Sequence, residues 1–176
     1  VEEGETVLFI GLKSNVITSV SDKDSNGSTK KSYDVGDGEI NVKVTPTLTD
    51  GKTSTDNDRY IDKVEVKSIL PVGLSFKNGS ANKEPKSVTI NSDGTTTIIW
   101  EYENWQINHA APEYSDITFK AEIAASLENN TSLEISSIIT TKEDIRNESA
   151  FRTSKYGVII SNLAGSKVIK GIDKSF

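Results

Sequence analysis

Alternation with a period of two residues runs through most of this 176-residue chain, and that pattern leaves little room for anything but β structure. Ile40, Val42 and Val44 alternate with Asn41 and Lys43, and Val64 and Val66 with Glu65 and Lys67. Val88 and Ile90, then Ile98, Trp100 and Tyr102, then Ile117, Phe119, Ala121 and Ile123, then Leu133, Ile135, Ser137 and Ile139 continue the series. Residues two apart on a strand share a face, so each series describes a strand with one apolar side. Val7, Phe9 and Gly11 near the start and the run 156–160 near the end read as further strands. Polar clusters rich in Gly, Asn, Asp and Ser separate them at 21–34, 49–58, 77–86 and 92–94, with Ser92-Asp93-Gly94 the clearest hairpin turn. About nine to eleven short strands without a long helical pattern predict an all-β, Greek-key, immunoglobulin-like β-sandwich. The one helical candidate is residues 142–151.

Apolar residues make up 34% of the chain, which suits thin layers with one polar face per strand. The net charge of −6 and the lack of a basic cluster argue against nucleic acid, and no apolar run is long enough to insert in a membrane. The chain has no cysteine, so its core must hold without disulfides. The absence of an initiator Met and of a signal peptide points to a piece of a longer protein with neighbouring domains. Residues 1–38 read as N-terminal strands and a loop of the same sandwich, or as an added β element, and 39–176 as the main domain.

The sharpest local motif is Leu70-Pro71-Val72-Gly73-Leu74. Proline removes a ladder donor and ends a strand, and glycine reaches conformations closed to other residues. The corner therefore lets Leu70, Leu74 and Phe76 fold back over a core.

Ser68-Ile-Leu-Pro-Val-Gly-Leu74, the later Thr97-Ile-Ile-Trp100, Ile117-Thr-Phe-Lys-Ala-Glu-Ile123 and Asn147-Glu-Ser-Ala150 occur in an order that resembles the conserved-repeat β-sandwich domains of Gram-positive surface proteins and pilin-like adhesins. The resemblance covers about 60% of the chain, the scale of one module. It implies a non-catalytic extracellular module at the cell surface or cell wall. Such a module acts as a stalk or presents a binding region to a host or cell-wall protein or glycan. It also implies that a Lys–Asn isopeptide cross-link is to be sought. Lys43 or Lys13 would supply the amine, Asn147 the amide, and a buried acid would lie between them. The family's acid position is Ser68 in this chain, a departure that leaves Glu65 or Asp62 as substitutes.

Two other constellations are candidates on their residues alone. Asp22-Lys-Asp24-Ser-Asn26-Gly27 opens like an oxygen-ligand calcium loop, with Asp34 nearby. Tyr33 stands where such a loop carries its bidentate Glu, and Lys30 and Lys31 oppose a cation. Calcium is the one cofactor considered, and Asp56, Asp58 and Asp62 form a second acidic group. Trp105, His109 and Tyr114 lie in a stretch that reads as a loop over 104–114, where an exposed ring would stack on a sugar or a protein partner. The alternative is that this stretch plugs one end of the sandwich. His109 is the sole histidine, and neither a nucleophile elbow nor a zinc ligand set accompanies it, so no enzyme activity is expected.

Overall fold

A computed structural model describes residues 12–51, 59–141 and 152–164. They form the expected β-sandwich from ten strands: β1 (Lys13–Val20), β2 (Ser32–Asp34), β3 (Glu39–Thr49), β4 (Tyr60–Leu70), β5 (Leu74–Phe76), β6 (Ser87–Ile90), β7 (Thr96–Gln106), β8 (Ile117–Ile123), β9 (Thr131–Thr141) and β10 (Thr153–Ser161). One sheet runs β1-β3-β8-β5 and the other β2-β10-β9-β4-β7-β6. Pairing is antiparallel except between β2 and β10, which run parallel. The alternation at 7–11, the acidic residues Asp56 and Asp58, the helical candidate 142–151 with Asn147, and the tail beyond 164 lie outside the described residues.

The inward positions are those that the alternation marks. Ile40, Val42 and Val44 on β3 meet Val64, Val66 and Leu70 on β4 across the interior, and all are fully buried. Aromatic rings bind the layers: Trp100 packs on Phe119 at 5.5 Å and Phe119 on Phe76 at 5.7 Å, within the range of favourable tilted pairs. The proline–glycine corner carries the chain from β4 in the larger sheet to β5 in the smaller. Leu74 N donates to Pro71 O at 3.2 Å, and Gly73 takes a left-handed φ of +106°. The φ demands glycine, and a Cβ there would come within 2.8 Å of Leu127 Cδ2, so the leucine side chain would also have to shift. The hairpin joining β6 to β7 is a tight turn at Asn91 followed by left-handed Gly94, with Asp93 accepting from the amide and hydroxyl of Thr95.

β1 is a strand that the apolar pattern hides. Two of its inward positions are Ser14 and Thr18, while Ile17 points outward and is 53% exposed. β2 is equally hidden within a polar stretch and pairs with the end of β10.

The chain enters and leaves the described fold at opposite poles. β1 begins against Thr49, beside the pole that Asn108 closes by donating to Leu48 O. β10 runs away from that pole and ends beside Tyr33 and Asp34. There Ile123 N donates to Gly38 O and Ala124 N to Gly73 O, marking the second pole.

Candidate functional site

Among the described residues, the structure separates the amine and acid candidates for a cross-link. Lys43 is half-buried on the outer face of the smaller sheet, in register with Ser19 and Thr118. Glu65 is half-buried on the outer face of the larger sheet, between Glu101 and Thr140. Lys13 and Asp62 are exposed. The expectation that Lys43 and Glu65 converge is therefore corrected, because Lys43 lies between inward Val42 and Val44 and Glu65 between inward Val64 and Val66, so each faces away from the shared interior. Ser68, in contrast, occupies an inward position with no exposure, and its hydroxyl lies 2.9 Å from that of the equally buried Ser137. The same rung of the sheet continues from Ser137 to Ser154 on β10, whose Oγ accepts from Thr18 N while Thr18 Oγ1 donates to Ser154 O. Hydroxyls thus line the interior row where an acid would be needed. Among the described residues Arg152 is the one buried charged side chain, donating to Ile139 O. The signal for this row was in the sequence: Ser68 and Ser137 both fall in the apolar phase of their strands.

The calcium-type loop uses its acceptors on the chain itself. Asp22 accepts from Tyr33 Oη, Asn41 N and Asn41 Nδ2 at 2.8–2.9 Å. Burial works to raise the Asp22 pKa, but these hydrogen bonds and the nearby Lys30 outweigh it and hold the carboxyl below its ordinary value. Burial and the Asp22 charge push the Tyr33 phenol well above its ordinary range. Asp24 accepts from the amides of Asn26 and Ser28, which makes a local turn around Gly27. Asp34 turns the other way, capping the short 3₁₀ turn at Gly36 and accepting from Ser161 Oγ and Leu163 N. Asp22, Asp24, exposed Asn26 and Asp34 are not aimed at one point. Among the described residues no group of three or more His, Asp or Glu is placed to hold a metal.

Trp105 is not an exposed platform. It lies within β7, is fully buried, packs on Tyr102 at 5.1 Å and donates from Nε1 to His109 O at 2.9 Å. The expectation of exposure fails because Asn104 takes a left-handed φ of 52° and inverts the alternation. Glu103 and Asn104 both face outward, matched on β4 by Asp62 and Lys63, so Trp105 and Ile61 return to the core together. Asparagine tolerates this conformation better than most residues. His109 is exposed and Tyr114 half-buried, and Tyr114 O accepts from the Tyr102 hydroxyl. Residues 107–111 plug the pole: Ile107 and Ala111 are buried, and Asn108 bridges Thr49 and Asp50.

Beside this plug lies an open cleft of about 350 Å³ that the sequence did not reveal. Its walls include Lys83, Glu84, Glu101, Glu103 and Glu113, with Lys83 Nζ 4.7 Å above the Tyr102 ring. Lys86 pairs with Glu101 at its rim. No single strand carries these residues, so no periodicity announces them.

Among solved structures the fold is similar to the C-terminal fragment of the major pilin GBS80 of Streptococcus agalactiae, with a TM-score of 0.47 and 12% identity over 85% of this chain and 56% of that one. It is also similar to BcpA, the major pilin subunit of Bacillus cereus, with a TM-score of 0.47 and 11% identity over 85% of this chain and 40% of that one. A cohesin module from a Clostridium perfringens family 33 glycoside hydrolase gives 0.46 and 8% identity over 85% of this chain and 99% of that module. The chain spans about half the length of the two pilin chains. No curated protein matches it. A family model matches residues 21–162, more than half of the sequence, and the chain therefore belongs to the family described as the C-terminal domain of the uncharacterised plasmid protein pXO2-29.

Proposed function

We propose that this chain is a non-catalytic structural module of an extracellular surface protein, one that spaces or presents a binding region away from the cell. The observation that carries this reading is that the first and last described strands, β1 and β10, both run from the Asn108 pole to the Gly38 pole and are joined side by side through Thr18 and Ser154. Force along that axis loads the β1–β3 and β10–β9 ladders in shear, across hydrogen bonds that lie perpendicular to the strands, as a load-bearing spacer requires. The interior adds support, since its buried polar groups among the described residues are hydroxyls and Arg152 rather than an acid–base set. Single-molecule pulling tests the reading. Force applied through residues 12 and 164 loads β1 and β10 along their lengths and should give one high-force rupture. Pulling through residues 87 and 99 should unzip the β6–β7 hairpin at lower force. A lower force along the 12–164 axis than across the hairpin would refute a load-bearing role.

A second reading, recognition of a protein or glycan at the Asn108 pole, has its own observation. Glu113, on the wall of the cleft, holds a left-handed φ of 67°. Such a conformation costs a glutamate on the order of 1 kcal/mol and concentrates at binding sites. Glycan-array and pull-down screens test it with the parent chain and a Lys83→Ala variant. Binding lost in the variant supports the reading, and no binding by the parent refutes it.

A further inference from the structure

β6 is the outermost strand of the larger sheet, and all four of its residues are exposed. Val88 and Ile90 stand in register with Ile98 and Thr96, on the core-facing side, yet are 40% and 77% exposed. The larger sheet here runs past the layer that should cover it. Val72, 58% exposed, lies beside the same hairpin, 3.1 Å from where a Cβ on Gly94 would sit. The bond from Asn91 N to Thr95 O fixes which backbone groups of β6 face β7. By the antiparallel pattern, Ser87 and Thr89 point toward β7, and the N–H and C=O of Val88 and Ile90 point out of the sheet.

The other edges are guarded. β1 is tied to β10 through Thr18 and Ser154. β5 is three residues long, and its continuation is bound to β8 by Lys77 N and Asn82 N. β2 is also three residues long. β6 has no proline or charge within it, the bulge that sets Lys86 and Ser87 together against Ile99 lies only at its start, and among the described residues no strand lies on its outer side.

We propose that β6 pairs with β6 of a second copy of this chain, antiparallel, about a twofold axis through Thr89. The strand is complementary to itself in this one register. Val88 faces Ile90 of the second copy on the apolar side, and the outward backbone groups of both residues find partners. The exposed ammonium of Lys86, which its own chain holds against Glu101, approaches the turn that carries Asp93 of the second copy, at both ends by symmetry. A closed twofold contact requires this self-matching of shape and sign. Thr89, on the opposite face, meets its own copy in a pair with Cα atoms about 4.5 Å apart. The apolar patch is small, so the contact is weak and concentration-dependent.

The chain has no cysteine, which makes one introduced thiol diagnostic. Thr89→Cys places two thiols within the Cα range of about 4.4–6.8 Å that a disulfide needs. Ser87→Cys places its pair four residues apart along the partner strand, roughly 13 Å away. Under mild oxidation Thr89→Cys should form a linked dimer on non-reducing gels at least tenfold faster than Ser87→Cys. Equal rates, or an unlinked Thr89→Cys chain, would overturn the proposal. In parallel, the unmutated chain should sediment faster as its concentration rises, and Ile90→Lys should abolish that rise without moving the melting temperature. A parent chain that stays monomeric over the whole concentration range would also overturn it.

Discussion

Removing the hydroxyl of Ser68 should destabilise the fold out of proportion to its size. Ser68 and Ser137 have no exposure, and their oxygens are 2.9 Å apart, so each supplies the other's hydrogen bond where water does not reach. Ser68→Ala leaves the Ser137 hydroxyl without that partner, and an unsatisfied buried hydroxyl costs about 1–3 kcal/mol. At about 2 kcal/mol, a chain of this length should lose roughly 4–8 °C in melting temperature. Ser137→Ala should cost a similar amount. The double variant removes donor and acceptor together and should lie within about 1 kcal/mol of the parent, because replacing both partners can be nearly neutral. The assay is urea and thermal unfolding followed by the fluorescence of Trp100 and Trp105, both buried, assembled into a double-mutant cycle. If the two single effects add in the double variant, the hydroxyls do not depend on each other, and the reasoning is wrong.

Gly73→Ala should lower the melting temperature, since its Cβ meets Leu127 Cδ2 at 2.8 Å in a left-handed backbone; a cost of about 1–3 kcal/mol is expected, and an unchanged unfolding curve would count against it. Asp22 is held below its ordinary value of 3.8, so the unfolded chain binds its proton first as pH falls. Its contribution is complete above that pH and drains away as pH drops through the folded-state pKa; Asp22→Asn should flatten the loss of stability below about pH 4, as read by unfolding at a series of pH values. Intact-mass measurement should match the sequence, with no loss of the roughly 17 Da of ammonia that an isopeptide releases, because Lys43 and Glu65 face outward from opposite sheets; a mass lower by that amount would contradict this placement.

The strands that line the centre of the core were legible because hydrophobicity and burial coincide there. β3, β4, β8 and β9 keep an unbroken two-residue phase through their middles, and so does β7 as far as Tyr102. β1 was not legible, since its interior positions include Ser14 and Thr18, which are held by hydrogen bonds rather than by apolar contact. Trp105 was misplaced for a different reason: one left-handed asparagine reversed the face of everything after it, and no residue count can show a φ angle. Ser68 was recognised as the position that departs from the resembling domains, but its partner Ser137 depends on the β4–β9 register, which is a property of the folded sheet. The cleft at the Asn108 pole is built from the loop before β6, from β7 and from the loop before β8, and only the fold brings these together.

The matched outward pairs Asp62-Lys63 and Glu103-Asn104 act as a key between β4 and β7. A strand that alternates throughout can slip against its neighbour by two residues and still present the same faces, so alternation alone forbids only odd slips. Here the two phase reversals must sit on the same rung, or Ile61 and Trp105 would be stranded on opposite sides of the sheet. Even-numbered slips are therefore excluded as well. The longest ladder of the sandwich has a single alignment, and the buried indole of Trp105 is the tooth that closes it.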